Sequence, residues 1–179
     1  MRSCMQFRDQ NVLEHGLAVA DAFATLRAAL EAGEAPEGWR IPAWLLDEPV
    51  RQDFLQRCAA PDTLYWYHRY HDCGKPLCRQ VDAEGRSHYP GHAEVSARTW
   101  LDCGGAPEVG RLIGLDMAVH LATAEEMARL VELPEAHSLY LTALAEIHAN
   151  APMFGGFDST SFKAKAKHLD RRGHQFLRR

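Results

Sequence analysis

His71 and Asp72 are neighbours inside the stretch Tyr-His-Asp-Cys-Gly-Lys-Pro, residues 70–76. A neutral imidazole and a carboxylate placed side by side can bind one divalent cation, and this ligand pair suits Mn, Fe, Ni, Co, Zn or Mg. His15 before the pair, and His92 and His120 after it, are spaced as if to complete a ligand set drawn from several helices. Water bound to such an ion loses a proton near neutral pH, so hydrolysis is the chemistry to expect.

Each candidate also has a plainer reading. His15 falls on an apolar stripe one turn before Val19, so it points inward whether it holds metal or only fills the core. Asp116 and His120 are four apart on one predicted helix, which places both on one face; an ordinary Asp–His pair has the same spacing. Lys75, three positions past Asp72, can reach a non-bridging phosphoryl oxygen, although a cation facing a helix dipole would look alike. Asp72 and Lys75 are therefore the catalytic candidates. The segment 153–165 is a second point of interest. Gly155-Gly156 frees the backbone, Ser159 and Ser161 are N-cap candidates, and Lys163 and Lys165 follow. A helix start with hydroxyls and lysines can take phosphate, here through Ser161 and Lys163; a Gly-rich loop capping a terminal helix is the alternative. Arg86 and His88, in the loop before His92, could also reach substrate. No P-loop, Gly-x-Gly-x-x-G or Ser-His-Asp signature competes.

The elements that must position these residues read as helices. Val12, His15, Val19, Phe23, Leu26 and Leu30 keep a three-four spacing, which predicts a helix over about 11–32. Residues 33–42 read as a loop and 50–58 as a short helix. Asp62 is the expected N-cap of a helix carrying Leu64, Trp66, Tyr67 and Tyr70 up to His71, with Gly74 and Pro76 ending it. Residues 79–91 read as a polar loop. Further helices are expected over about 92–102, 107–121, 124–131 and 135–149. Strand-like alternation is scarce. The reading is one all-α domain over 1–179, a helical bundle with the site between helices, its core about 11–150 and its basic helical segment about 158–179.

Composition sets the remaining bounds. The 179 residues can bury one real core, and 46% of them are hydrophobic. No apolar run approaches the ~20 residues a membrane span needs, and the start MRSCMQFRDQN has no signal-type stretch. The expectation is a cytoplasmic protein with no membrane partner; a homo-oligomer is compatible. Five cysteines at irregular spacing (Cys4, Cys58, Cys73, Cys78, Cys103) give no disulfide framework and no zinc pair. The net charge of −4 hides an asymmetry: residues 162–179 hold seven basic residues and one acidic, so this segment carries +6 and the rest −10. Basic termini often meet phosphate-rich partners, and a solvated amphipathic helix is the competing reading.

The combination resembles the HD superfamily of metal-dependent phosphohydrolases. The matching pieces are Asn11-Val-Leu-Glu-His15, His71-Asp72-Cys-Gly-Lys75-Pro76, Gly91-His92-Ala-Glu-Val-Ser96 and Asp116-Met-Ala-Val-His120. The second and third look like HD domains that process RNA ends, including those attached to some tRNA nucleotidyltransferases and bacterial polynucleotide kinases. The resemblance covers about residues 11–150. It implies an HD-type helical bundle and a metal shell of His15, His71, Asp72, His92 and His120, with Asp116 as a further ligand. A final family Asp is missing; its helix reads Leu144-Ala-Glu146-Ile-His148-Ala-Asn150, where His148, the nearest occupant, Glu146 or Asn150 could complete the shell, or the position does not ligate. One or two divalent ions are compatible with this set. The implied activity is hydrolysis of a phosphate ester at an RNA 3′ end (a 2′,3′-cyclic phosphate or a 2′- or 3′-phosphate) or on a nucleotide. The alternatives are a free-nucleotide 5′-nucleotidase or (d)NTP phosphohydrolase and, in another class, an HD fold whose decayed site serves regulation or binding.

Overall fold

In a computed structural model, residues 1–7 and 10–178 are described. Arg179, the last cation of the basic segment, lies outside them. The elements in chain order are β1 (Met5–Phe7), β2 (Gln10–Asn11), α1 (Val12–Ala32), α2 (Ala43–Leu46), α3 (Glu48–Arg57), α4 (Pro61–Tyr70), α5 (Lys75–Cys78), β3 (Gln80–Val81), β4 (Ser87–His88), α6 (His92–Asp102), α7 (Pro107–Gly114), α8 (Ala118–Leu121), α9 (Ala124–Leu130), α10 (Ala136–Ala149) and α11 (Thr160–Gly173). Helices hold 66% of the described residues and strands 5%, so the all-α expectation holds at that level. The strands form two small antiparallel pairs, β1 with β2 and β3 with β4. The second pair occupies what the sequence reads as an irregular loop.

The chain forms two compact units. The first comprises residues 1–18 and 60–117. In it α7 packs on α4 and α6, and α5 on α6. Pro61 and Pro107 stand in the first turns of α4 and α7, where a missing N–H costs nothing and φ is already helical. The N-cap of α4 is Ala60, with no side-chain cap, which corrects the expected cap at Asp62. Helix α7 ends at Gly114, and Asp116 lies in the turn that follows. The expected single helix over 107–121 is therefore two, and Asp116 and His120 do not share a helical face. Asp116 belongs to the first unit and His120 to the second.

The second unit comprises residues 19–59 and 118–179. Its centre is α10, buried along nearly its whole length, as expected of a helix apolar all round. It packs against α3, α8 and α11. Phe54, Tyr140 and Phe176 form an aromatic cluster with ring centroids 4.8–5.8 Å apart, and the Tyr140 hydroxyl donates to the Leu169 carbonyl at 3.1 Å. A capping box between Thr123 and Glu126 starts α9. Ser159 caps α11, accepting from the Phe162 N–H at 3.1 Å. Arg172 donates to the Val119 and Ala122 carbonyls, so this cation of the basic segment works inside the fold. Among the described residues no helix is long and apolar enough to cross a membrane.

Candidate metal centre

The site is assembled in the first unit by three local devices. At the start of α1, the Asn11 side chain accepts from the Leu13 and Glu14 N–H groups at 3.0 Å. Glu14 returns a carboxylate to the Asn11 N–H at 2.8 Å. This reciprocal cap fixes the first turn and with it His15. The next residue, Gly16, lies so close to α4 that a Cβ would stand 2.7 Å from the Arg69 carbonyl oxygen and 2.8 Å from that of His68. Only glycine lets His15 approach the end of α4 this closely.

Helix α4 stops at Tyr70, and residues 71–74 turn, with the Cys73 N–H bonded to the Tyr70 carbonyl and the Lys75 N–H to that of Asp72. The turn is pinned to α6. The Gly74 N–H donates to the buried Ser96 hydroxyl at 2.9 Å, and a Cβ at Gly74 would stand 2.4 Å from the Ser96 backbone nitrogen. His92, at the first position of α6, is thereby set against the His71-Asp72 turn.

His15, His71 and Asp72 are 0%, 1% and 1% exposed, and their ligand atoms lie within 4.8 Å of one another. From Asp72 Oδ2 it is 3.3 Å to His71 Nε2, 3.7 Å to His15 Nε2 and 2.6 Å to Lys75 Nζ. From Oδ1 it is 3.5 Å to His92 Nε2. Oδ1 is buried without a hydrogen-bond partner among the described residues. A buried carboxylate oxygen left so is costly unless a cation or donor meets it.

The tautomers follow from the partners. His71 Nδ1 faces the His68 carbonyl at 2.8 Å, and His92 Nδ1 faces the Tyr89 carbonyl at 3.0 Å. A carbonyl can only accept, so each Nδ1 carries a proton and each Nε2 faces Asp72, donating to the carboxylate when the ring is protonated and offering its lone pair to a cation when the ring is neutral. A backbone carbonyl at Nδ1 orients an imidazole to present Nε2 to a metal. Burial alone would raise the Asp72 pKa. The His71 charge and hydrogen bond, with the charges of Lys75 and His15, outweigh it and hold the carboxyl well below the usual range. Buried imidazoles around an ionised carboxylate fit a divalent cation, and the His15–His71–Asp72 cluster could hold one.

Lys75 is buried. Its Nζ donates to Asp72 and, at 2.8 Å, to Gln6 Oε1 on β1. It lies 5.5 Å from the centre of the Tyr89 ring, whose hydroxyl donates to the Met5 carbonyl. Asp116 is buried and accepts from the Tyr67 hydroxyl at 2.5 Å. The Tyr67 ring in turn meets His71 edge-on at 6.4 Å, so Asp116 borders the cluster through Tyr67. Arg86 is held on the exposed β3–β4 hairpin by Asp82 and Glu84 at 2.8 and 2.9 Å, and His88 also bonds to Asp82.

The other candidates belong to the second unit. His120 Nε2 meets Glu146 Oε2 at 3.0 Å. His148 is stacked on Trp39 at 4.1 Å. It donates from Nδ1 to the Leu144 carbonyl and accepts the Arg40 N–H at Nε2. Both ring nitrogens are thus engaged in hydrogen bonds within the second unit. Burial lowers its pKa, against the pull of the Leu144 bond. Ser161 is exposed on α11, and Lys163 stands 3.3 Å from Asp158.

Sequence reasoning missed His68. It is 2% exposed, and burial, followed by the His71 charge, pushes its pKa down to about 3. Its spacing of three from His71 was the available signal. Gln6 and Tyr89 gave none, because only the folded chain brings them to Lys75. In comparisons with protein-family models, curated proteins and solved structures, nothing matches this chain.

Proposed function

We propose that the protein is a metal-dependent phosphohydrolase that removes or opens a phosphate ester at an RNA 3′ end or on a nucleotide. The observation that carries the reading is the buried convergence of His15, His71 and Asp72, with Asp72 Oδ1 left for a cation. A divalent ion there would supply hydroxide at neutral pH and neutralise phosphoryl charge. His15, His71 and Asp72 would hold it, and His92 borders the same carboxylate. The Nδ1 protons of His71 and His92 keep both rings in the ligating tautomer. Lys75 is poised to transfer its ammonium from Asp72 to a non-bridging oxygen of the substrate, with Gln6 steadying it. The resemblance to HD domains that process RNA ends favours the substrate class.

The test is a phosphate-release screen with several divalent ions. Its substrates are oligoribonucleotides ending in 2′,3′-cyclic, 2′- or 3′-phosphate, and free nucleotides. Lys75→Ala should retain metal and lose roughly 2–4 kcal/mol of transition-state stabilisation. Activity confined to nucleotides would move the substrate class to monomers. No activity with any ion would remove the proposal.

A further inference from the structure

The second unit holds a groove of about 280 Å³, lined among others by Arg40, Ala43, Lys163, Ala166, Lys167 and Asp170. It sets three cations against one carboxylate. Asp170 is tied back, its Oδ1 accepting the Trp44 indole N–H at 2.9 Å. Lys163, Lys167 and Arg171 are exposed on α11, with Phe162, Ala166 and Leu169 buried beneath them. They follow one another at intervals of four residues, a rise of roughly 6 Å each. That interval is close to the separation of consecutive phosphates along an extended strand.

We propose that this groove binds the sugar-phosphate backbone of a single-stranded nucleic acid. Arg40, Lys163 and Lys167 line the groove, and Arg171 follows Lys167 by four residues on α11. Among the described residues the groove has no aromatic lining residue, so they offer no platform for stacking bases, and recognition through phosphates tolerates any sequence. The surrounding charge agrees, because residues 162–179 carry +6 on a chain whose remainder carries −10. The inference rests on the proposed function for its polymer. In that setting the groove takes backbone phosphates that a polymer has and a free nucleotide lacks.

The experiment measures binding of a labelled oligouridylate of about 12 nucleotides by fluorescence anisotropy, over a series of salt concentrations, with chelator present so that no turnover occurs. Wild type is compared with the triple variant Arg40→Gln, Lys163→Gln, Lys167→Gln. The substituted side chains face solvent or the groove, and an unchanged melting temperature checks the fold. The expected result is an affinity loss of roughly tenfold or more at low salt. The plot of log K against log salt should be shallower by roughly 2, at about 0.7 per single-strand phosphate contact. Equal affinity and slope in the two proteins would overturn the proposal. So would wild-type binding of polyglutamate as tight as that of the oligouridylate, which would make the groove a site for acidic peptides. If the groove variant loses binding while wild type releases no phosphate from any substrate, the hydrolase reading fails and the groove stands. If wild type hydrolyses RNA ends and the variant binds unchanged, the groove fails and the hydrolase reading stands.

Discussion

Replacing Gly74 by Ala should disable the candidate metal centre without touching His15, His71 or Asp72. The added Cβ would stand 2.4 Å from the Ser96 nitrogen, 2.7 Å from the Val95 carbonyl carbon and 2.9 Å from the Ser96 Cα. These are backbone atoms inside α6 and cannot swing aside. The turn must move away from the helix, and the 2.9 Å bond from the Gly74 N–H to the Ser96 hydroxyl is lost with it. Overpacking costs about 1–3 kcal/mol and the lost buried hydrogen bond about 1 more. In a chain of this length that corresponds to a melting temperature lower by roughly 5–15 °C. Because the same contact sets His92 against Asp72, metal affinity should fall roughly 10- to 100-fold, the usual effect of disturbing a supporting shell. Calorimetric metal titration and thermal unfolding read the two effects. Gly114→Ala is the control: its Cβ would meet only Ala97 Cβ, at an ordinary 3.5 Å, so stability and affinity should hold. A Gly74→Ala protein with wild-type melting and wild-type metal affinity would refute the claim that this close approach builds the site.

Three further outcomes follow from other contacts. Tyr67→Phe removes the hydroxyl that Asp116 accepts at 2.5 Å; it should cost roughly 1.5–3 kcal/mol, read by denaturant unfolding, and no change would mean that Asp116 is satisfied without it. Burial holds His148 neutral in the fold, so the unfolded chain takes up its proton first. Its contribution to stability is therefore full above the unfolded value of about 6.5 and is lost as pH falls below it; His148→Gln should flatten the melting temperature between about pH 7 and 5, and an unaltered profile would remove His148 as the cause. Arg172→Leu strips the donors from the Val119 and Ala122 carbonyls at the end of α8; the expected loss is about 1–3 kcal/mol, visible as a lower denaturant midpoint.

Much of this arrangement was legible in the chain. The apolar stripe of α1 predicted the helix and the inward direction of His15, and His71-Asp72 announced the carboxylate at the centre. Helix α6 was expected over the residues it occupies. Other features could not be read. The stop at Gly114 separates Asp116 from His120, and their i,i+4 spacing carried no sign of it. His148 stands where the resemblance leaves a ligand position open, yet the Arg40 N–H and the Leu144 carbonyl commit its ring. The roles of Gly16, Gly74 and Ser96 arise from backbones approaching across long separations, which local pattern does not encode. Gln6 and Tyr89 reach Lys75 only in the folded unit.

The central claim is that Asp72 anchors a divalent cation among buried imidazoles. The most direct test is metal titration of wild type and Asp72→Asn, followed by calorimetry and by melting temperature. Wild type should bind Mn, Ni, Co or Zn and gain roughly 2.7 kcal/mol of stability at a hundredfold excess over Kd. Asp72→Asn keeps the shape but loses the charge, and it should show neither the binding nor the gain. Equal binding and equal stabilisation in the variant would contradict the account.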